Sequence, residues 1–356
     1  MRARALGLPL AGRTGPLNTI TDVPGVAVGY TTLIEGTDVR TGVTAILPRP
    51  HDEVDVPCAA GWYSLNGNGE MTGTSWLTET GALRLPVMIT NTHAIGPVHR
   101  GVVDWALRER PRLADQWLLP VVAETWDGYL NDINGPHVRA EHAIAAIDAA
   151  RPGPVEEGSV GGGTGMNCYA FKGGSGTASR VVAHGGDTYT VGVFVQANFG
   201  SRRELTVCGV PVGDRLGADN PMEHTEWRTP PGAGSVIVVV ATDAPLLPGQ
   251  CTALARRVPL GLARTGTTGS HFSGDIFLAF STANAGALTI GPPEGDPGYE
   301  QLRFVPWNRM DAFYAAVAPA VEEAVLNALV AGRTMVGRRG HRSPGLPVPE
   351  LLDVLS

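Results

Sequence analysis

The sequence of 356 residues is long enough to bury a large core, and its 43% hydrophobic and 17% charged residues are typical of a globular protein. The formal net charge is -7, and the basic run between Arg333 and Arg342 stands alone, which argues against a nucleic-acid partner. We therefore expect a small or neutral ligand.

The N-terminus and the cysteines bear on the compartment. The first ten residues carry two arginines but no sustained apolar stretch and no small-residue cleavage site. The cysteines lack C-x-x-C spacing, which favours buried reduced thiols over disulfides or a zinc site. We predict a soluble, cytoplasmic protein without a membrane partner. The cysteines are Cys58, Cys168, Cys208 and Cys251.

Six apolar runs have the length and the β-branched content of buried strands. Several are apolar on both faces, which indicates that other layers cover both sides of the sheet. This pattern predicts a layered α/β or α+β protein. The predicted strands are 26–31, 43–47, 87–90, 188–197, 235–242 and 275–282.

Four segments repeat apolar residues every three or four positions, as helices do. They are 98–108, 137–150, 248–264 and 311–331. In the last, we predict Asp311 as the N-cap, Gly332 as the stop, and a bend or a second start at Pro319. The Pro- and Gly-rich stretch 216–234 is predicted to be a linker, and 333–349 to be poorly packed surface chain.

Two motifs could bind a ligand but do not fit a known site. The Gly-rich segment 158–167 matches neither the P-loop nor the dinucleotide fingerprint, so we interpret it as backbone that passes close to another segment or to a substrate. The nine histidines show no metal-ligand spacing, and no G-x-S-x-G of a typical serine hydrolase occurs. We predict no metal and no cofactor.

A stronger signal is the dipeptide Gly234-Ser235 at the head of the predicted strand 235–242. A serine there, after the one residue without a Cβ, could become a catalytic amino terminus if the chain cut itself. The dipeptide alone is typical of an ordinary turn. Its context is more specific, because a Ser-Gly-Asp cluster at 273–275 opens another apolar strand and Asn198 ends a third.

Together these segments resemble the DmpA-like serine aminopeptidases, which include L-aminopeptidase/D-amidase-esterases and β-peptidyl aminopeptidases. The resemblance extends from 18–26 and 39–44 to 273–275. It implies an αββα sandwich of the DmpA/ornithine acetyltransferase type, similar to N-terminal nucleophile hydrolases but with different connectivity. It also implies one domain over 1–356, self-cleaved into an α chain (1–234) and a β chain (235–356), and a homotetramer of αβ units.

The resemblance also implies roles for individual residues. Ser235 would be the nucleophile, cleaved from Gly234, and Glu124 would receive the ammonium group of the substrate. Some relatives have glutamate at the acid position, so the shorter Asp275 is a departure that bears on its reach. The implied catalytic residues are Ser235, Ser273, Asp275, Asn198 and Tyr129, and the implied substrate-binding residues are Glu124 and Trp126.

The implied chemistry needs no histidine. An α-amine released at Ser235 has an ordinary pKa of about 7.7 to 8.0 and can accept the hydroxyl proton. The predicted activity is removal of the N-terminal residue from short peptides, amides or esters, with β-amino or D-amino residues among the options. Two alternatives stay open: an ornithine acetyltransferase-like acyl transferase, whose nucleophile is a threonine, and an uncleaved binding protein.

Overall fold

The computed structural model describes residues 2–223, 233–292 and 298–356. Its strands are β1 (Ala27–Glu35), β2 (Val39–Leu47), β3 (Cys58–Ser64), β4 (Ala82–Leu83), β5 (Val87–Asn91), β6 (Val121–Thr125), β7 (Asn167–Cys168), β8 (Phe171–Lys172), β9 (Gly174–His184), β10 (Asp187–Asn198), β11 (Thr206–Val207), β12 (Val210–Pro211), β13 (Gly234–Thr242), β14 (Ser273–Ser281), β15 (Met335–Val336) and β16 (Arg342–Ser343). Its α-helices are α1 (Thr74–Thr80), α2 (Ile95–Glu109), α3 (Ala140–Asp148), α4 (Pro248–Ala255), α5 (Val258–Ala263), α6 (Asp311–Ala331) and α7 (Val348–Leu355).

Two sheets carry the fold. The first has four strands in the order β1-β2-β5-β6, antiparallel except for the parallel pair β5 and β6. The second has six strands in the order β4-β3-β14-β13-β10-β9, antiparallel except for the parallel pair β13 and β14. The parallel pair brings the first residues of β13 and β14 to the same end of the six-stranded sheet.

The buried apolar side chains fall into clusters that define the layers. One cluster joins α2 and α3 to the four-stranded sheet, a second joins α4 and α6 to the six-stranded sheet, and a third lies between the sheets. Each sheet is therefore covered on both faces, as its doubly apolar strands require. The predicted αββα sandwich is confirmed.

Strand β13 contributes side chains to two of these clusters. Val236 and Val238 belong to the cluster with α6, whereas Ile237 and Val239 belong to the cluster between the sheets. Because successive side chains of a strand point to opposite faces, Ser235 continues the row of Ile237 and Val239. Its hydroxyl therefore points toward the four-stranded sheet.

The predicted strands are all present, and so are the helices predicted at 98–108, 137–150 and 311–331, with shifted ends in most cases. Among the strands longer than two residues, β3, β6 and β9 are additional. Strand β9 is rich in small residues because helix α6 packs directly on it, and a Cβ on Gly176 would lie 2.0 Å from the carbonyl oxygen of Ala324. Such a strand lacks the apolar side chains that mark the others.

Two helix predictions need correction. The segment 248–264 forms two helices, because α4 ends at Ala255 and α5 starts at Val258, with Pro259 in its first turn where proline needs no N–H partner. Helix α6 has the predicted bounds, but Met310 is its N-cap instead of Asp311. Pro319 lies inside one continuous helix and starts no second one, because packing on β9 and β10 supports the helix on both sides of it.

The segment 333–349 packs more closely than predicted. Strands β15 and β16 pair within it, and Ser343 and Leu346 are buried. The N–H of Lys172 also donates to the carbonyl oxygen of Pro344 at 2.7 Å. The prediction of loose surface chain is wrong because backbone hydrogen bonds attach this segment, and apolar periodicity does not reveal those bonds.

The predicted linker 216–234 lies partly outside the described residues, at 224–232. Its first part is anchored, since the buried guanidinium of Arg202 donates to the carbonyl oxygens of Leu216 at 2.8 Å and Asp219 at 3.2 Å. The cysteines are free thiols and are buried except for the half-buried Cys208, as predicted.

Helix α6 is long and apolar enough to cross a membrane by length and composition, with a mean hydropathy of 1.4. In the fold, 89% of its most apolar 18-residue window is buried inside the protein. The helix therefore has the surroundings of a core helix, and its composition is weak support for a membrane span.

Candidate active site

Ser235 lies where two strand ends of the six-stranded sheet meet. In the ladder it is paired with Asn198, the last residue of β10, and with Gly274 near the start of β14. Directly paired side chains of antiparallel strands lie on the same face, so the Asn198 amide and the Ser235 hydroxyl are neighbours. The structure thus brings together two of the predicted catalytic residues.

Two donors reach the hydroxyl oxygen of Ser235. The N–H of Trp126, directly after β6, donates to Oγ at 3.0 Å, and Nδ2 of Asn198 lies 3.3 Å from it. Trp126 directly follows a strand of the four-stranded sheet, and Asn198 ends a strand of the six-stranded sheet, so the site forms where the ends of both sheets meet. Donors fixed beside a nucleophilic oxygen can stabilise the oxyanion of an acyl-transfer reaction.

The Asn198 side chain is held in one orientation. Its Oδ1 accepts the N–H of Asn167 at 2.9 Å, and its Nδ2 also donates to the carbonyl oxygen of Trp126 at 2.9 Å. Exchanging the oxygen and nitrogen of the amide would set donor against donor and acceptor against acceptor. The amide nitrogen is therefore directed at Ser235 before any substrate binds.

Gly234 is required by packing at the head of β13. A Cβ on this residue would lie 2.1 Å from the carbonyl oxygen of Asn198, closer than any side chain tolerates. Its N–H donates to the carbonyl oxygen of Phe272 at 3.3 Å, so the bond before Ser235 continues the strand. The 234–235 peptide bond is thus fixed beside the Asn198 backbone.

Ser273 and Asp275 form a hydrogen-bonded pair at the start of β14. The Ser273 hydroxyl donates to Oδ1 of Asp275 at 2.5 Å. Asn66 binds Asp275 through both ends of its amide, donating from Nδ2 to Oδ2 at 2.9 Å and accepting the backbone N–H at 2.7 Å. Burial raises the pKa of Asp275, and these hydrogen bonds partly oppose the rise. The shorter acid is thus held firmly at its position.

This pair faces the backbone of Ser235 more than its hydroxyl. In the ladder Ser273 is paired with Gly234, and Asp275 with Val236. Strand alternation places both side chains on the face of β14 that carries Phe277, opposite to the Ser235 hydroxyl. None of the hydrogen bonds among the described residues joins the pair to Ser235 Oγ. The geometry favours a role toward the nitrogen of Ser235.

Glu124 is a buried carboxylate on β6, with 2% of its surface exposed. It accepts the N–H of Glu70 at 2.9 Å and a short hydrogen bond from the Thr92 hydroxyl. Burial raises the pKa of Glu124, while the hydrogen bonds from Thr92 and Glu70 lower it. A buried acid that lines a cavity can pair with a cationic group that enters it.

Tyr129 and Trp126 follow Glu124 on the same side of the site. The Tyr129 ring is buried and stacked on His341 with centroids 4.7 Å apart, and its hydroxyl donates to the carbonyl oxygen of Arg342 at 3.2 Å. Gly128 makes room for Trp126, since a Cβ there would lie 2.4 Å from the indole ring. Through the contacts of His341 and Arg342, the C-terminal segment supports Tyr129 on this side of the site.

A cavity of about 840 Å³ opens over Ser235, a size that suits a short peptide end. Ser273 and Asp275 are not part of its lining. The predicted residues that line it are Gly234, Ser235, Asn198, Tyr129, Glu124 and Trp126. In the described ranges, no group of three or more His, Cys, Asp or Glu side chains is placed to hold a metal ion.

Three site residues were not indicated by the sequence: Asn66, Thr92 and Asn167. Asn66 orients Asp275, Thr92 binds Glu124, and Asn167 orients Asn198. The available signals were the Asn-Gly-Asn-Gly turn at 66–69 and the end of the Gly-rich segment. Neither pattern states which strand the turn approaches.

A strand-head serine between two fixed donors, in a layered αββα fold, defines a hydrolase that works by acyl transfer. The chain belongs to peptidase family S58, whose model matches residues 18–343. It is a serine aminopeptidase of the DmpA type, and the family match decides against the acetyltransferase alternative.

The chain is 49% identical to the β-peptidyl aminopeptidase BapA of Sphingosinicella microcystinivorans over 99% of this chain and 91% of that protein. It is similar to the L-aminopeptidase D-Ala-esterase/amidase of Ochrobactrum anthropi, a variant of the Ntn hydrolase fold, with 46% identity, a TM-score of 0.91 and coverage of 99% and 98%. A Burkholderia sp. β-aminopeptidase is 48% identical, with a TM-score of 0.90 and coverage of 100% and 98%.

Proposed function

We propose that Ser235 cuts the chain at the Gly234–Ser235 bond and then serves as the nucleophile of the mature enzyme. The observation that carries this proposal is the Ser235 hydroxyl at the strand head, 3.0 Å from the Trp126 nitrogen and 3.3 Å from Nδ2 of Asn198. After cleavage, the α-amine of Ser235, with an ordinary pKa near neutrality, takes the hydroxyl proton.

In this mechanism each neighbour has one task. The Trp126 N–H and the Asn198 amide bind the oxyanion that forms when Ser235 attacks the substrate carbonyl. Ser273, fixed by Asp275, orients the new α-amine, which agrees with the position of this pair beside the Gly234–Ser235 bond. The α-amine gives the proton to the leaving amine as the C–N bond breaks, and water then hydrolyses the ester, which releases the N-terminal residue as an acid and restores the Ser235 hydroxyl.

The substrate class follows from Glu124 and from the relatives. A buried carboxylate in the cavity pairs with a free substrate ammonium, which restricts the enzyme to N-terminal residues. The names of the relatives include two β-peptidyl aminopeptidases and a β-aminopeptidase. We therefore propose short peptides and amides with an N-terminal β-amino residue as substrates.

The assembly and the compartment are proposals as well. The resemblance to the DmpA-like enzymes supports a homotetramer of αβ units, and the free thiols are compatible with a reducing compartment such as the cytoplasm. Light scattering coupled to size-exclusion chromatography measures the assembly directly. A mass of a single αβ unit at micromolar concentration would contradict the tetramer.

Denaturing electrophoresis and N-terminal sequencing test the self-cleavage. The wild-type protein should give fragments 1–234 and 235–356, and Ser235→Ala should give one uncut band without aminopeptidase activity. Ser281→Ala is the matched control, because Ser281 is a buried serine whose hydroxyl donates to the Ala244 carbonyl oxygen at the far end of β14. A wild-type chain that is active and uncut would contradict the proposal.

A second assay compares substrates. A β-homoamino acid p-nitroanilide with a free amine should be hydrolysed, and its N-acetylated form should not be. Equal rates for the two would overturn the role of Glu124 while leaving the nucleophile intact.

A further inference from the structure

Lys172 is the only lysine among the 27 lysine and arginine residues of the sequence. It lies on β8, next to the Gly-rich segment, and its side chain is fully buried. The mechanism above does not use it. A buried ammonium group is costly unless its protons donate to hydrogen-bond acceptors. The groups around Lys172 must therefore stabilise its charge.

The ammonium group donates to three backbone carbonyl oxygens. They belong to Gly163 at 3.3 Å, Met166 at 2.8 Å and Gly173 at 3.0 Å. An ammonium has three N–H donors and no acceptor, so three carbonyls match its protonated form. A neutral amine would turn its lone pair toward one of these oxygens.

The glycines let the backbone close around this group. A Cβ on Gly163 would lie 2.5 Å from the Ser175 nitrogen, and a Cβ on Gly173 would lie 2.4 Å from the carbonyl oxygen of Ala197. The Gly-rich segment therefore wraps the lysine and strand β9. This agrees with its interpretation as closely packed backbone.

The peptide unit between Met166 and Asn167 connects the lysine to the nucleophile. Its carbonyl oxygen accepts from Lys172 Nζ, and its N–H donates to Oδ1 of Asn198 at 2.9 Å. Nδ2 of Asn198 in turn lies 3.3 Å from Ser235 Oγ. Ammonium, peptide and amide thus form a chain in which each group donates to the next.

We propose that Lys172 is a positioning residue for the peptidase reaction, whose ammonium fixes and polarises the 166–167 peptide so that Asn198 becomes a stronger donor to the oxyanion. This inference rests on the proposed function, in which Asn198 binds that oxyanion. Hydrogen bonds in a chain strengthen one another in a low-dielectric interior. A donor oriented in advance costs no reorganisation during the reaction.

Arginine does not replace lysine at this position. A guanidinium is a planar fork, whereas the three carbonyl oxygens of Gly163, Met166 and Gly173 surround one nitrogen atom. This difference explains why position 172 has a lysine in a chain whose other 26 basic residues of this type are arginines.

A double-mutant cycle on kcat tests the connection. Lys172→Met keeps the length of the side chain and removes the charge, and we expect kcat to fall about tenfold to a hundredfold with KM changed less than about threefold. In an Asn198→Ala background the same substitution should change kcat less than about threefold, because its route to the oxyanion is gone. An equal loss of kcat in both backgrounds would overturn the inference.

Gln250→Met is the matched control. Gln250 is fully buried beyond the other end of β13, and its amide donates to the carbonyl oxygen of Val305 at 2.6 Å. This variant should lower the melting temperature and leave kcat unchanged. If a folded Lys172→Met enzyme keeps the wild-type kcat, Lys172 has no positioning role.

A measurement on the wild-type enzyme decides the question if Lys172→Met does not fold or mature. With 13C-lysine labelling the single lysine gives one side-chain signal, whose pH titration reports its protonation. The groups whose charges act on Lys172 are Asp127 and Cys168, and burial lowers the pKa of Lys172 to about 7. Asp127→Asn assigns any part of the titration that belongs to that acid.

An aminoalkyl boronic acid that forms a tetrahedral adduct on Ser235 places a negative charge at the oxyanion position. We expect the adduct to raise the pKa of Lys172 by about one unit in the wild type and by less than half of that in Asn198→Ala. An unchanged titration, or an equal shift in both proteins, would overturn the inference. An enzyme that neither hydrolyses amides nor binds the boronate would contradict the proposed function instead.

Discussion

Two buried polar clusters of this protein differ in how completely their groups are paired. The first cluster, which we call the sealed cluster, surrounds Glu323 on α6. Its carboxylate accepts from Arg180 at 2.7 Å, from Arg4 at 2.7 Å and from Asn18 at 2.6 Å. Both oxygens are used, and the side chain is fully buried.

The second is the site cluster around Ser235. Here Oδ1 of Asn167 and Oδ2 of Asp127 are buried and accept no hydrogen bond from the residues that the structure describes, and burial raises the pKa of Asp127 to about 7. Lys172 is bound by carbonyl oxygens instead of a carboxylate. A fully paired cluster stabilises the fold, whereas an unpaired group of a residue that lines the cavity, as Asn167 does, remains available to a substrate.

The largest expected effect is on the sealed cluster. Glu323→Ala leaves the buried Arg180 guanidinium without its carboxylate, and we expect a loss of about 3 to 5 kcal/mol in the free energy of unfolding. Chemical denaturation measures it. Since Arg4, Asn18 and Arg180 lie in 1–234 and Glu323 in 235–356, the two chains that the proposed cleavage would give should also separate at lower denaturant.

Glu322→Ala is the control for this prediction. Glu322 forms an ion pair with Arg264 at 3.2 Å, and the Arg264 side chain is half-exposed. This ion pair therefore contributes at most about 1 kcal/mol. Burial raises the pKa of Glu323, but hydrogen bonds and charges from Arg4 and Arg180 outweigh it and lower the pKa overall. Its stabilisation is therefore complete above the pKa of an unfolded glutamate and is lost as the pH falls below it. Equal losses for the two variants would contradict the comparison.

The next effect concerns turnover. Asn198→Ala removes one donor from Ser235, and we expect kcat to fall about 10²- to 10³-fold with little change in KM. Asn327→Ala is the matched control, because Asn327 is a buried amide one turn after Glu323 on α6 that accepts the N–H of Ala3 at 2.8 Å and donates to the Thr177 carbonyl oxygen at 2.9 Å. The control should lose stability and keep its kcat. A similar kcat for both variants would remove Asn198 from the oxyanion site.

The sequence predicts the apolar core strands and helices better than it predicts the site. Apolar runs such as β13 and the repeat of α6 are visible because buried strands and helices need apolar side chains at fixed spacing. Strand β9 and the segment 333–349 escape this reasoning, since small residues and backbone hydrogen bonds attach them. Periodicity reports side-chain burial and no other interaction.

For the site, the Gly234-Ser235 dipeptide and the family resemblance located the residues but not their mutual geometry. Asn198 lies opposite Ser235 because of the register between β10 and β13, and the second donor is the backbone N–H of Trp126. The identity of a residue does not show whether its backbone N–H will be a donor in the site. Lys172 was equally hidden, because its partners are carbonyl oxygens from 163–173.

The smallest expected effect concerns Glu124 and distinguishes substrate binding from the chemical step. Burial raises the pKa of Glu124, and only the ionised form pairs with a substrate ammonium. In the wild type, kcat/KM should therefore show a second acid limb, below the limb of the Ser235 α-amine that we propose as the base, and at a higher pH than the ordinary pKa of glutamate would give. Glu124→Gln should raise KM about tenfold at pH 7 and abolish this second limb, because glutamine does not titrate, while the limb of the α-amine stays.

Glu70→Gln makes the same chemical change at an exposed side chain whose charge raises the pKa of Glu124. It should keep the wild-type KM and shift the second limb slightly downward in pH, since one repelling charge is removed. Steady-state kinetics from pH 4 to pH 8 with a β-homoamino acid p-nitroanilide measures both variants. If Glu124→Gln keeps the second limb, the titrating group is another one, and Asp275, whose pKa burial also raises, is the next acid to test.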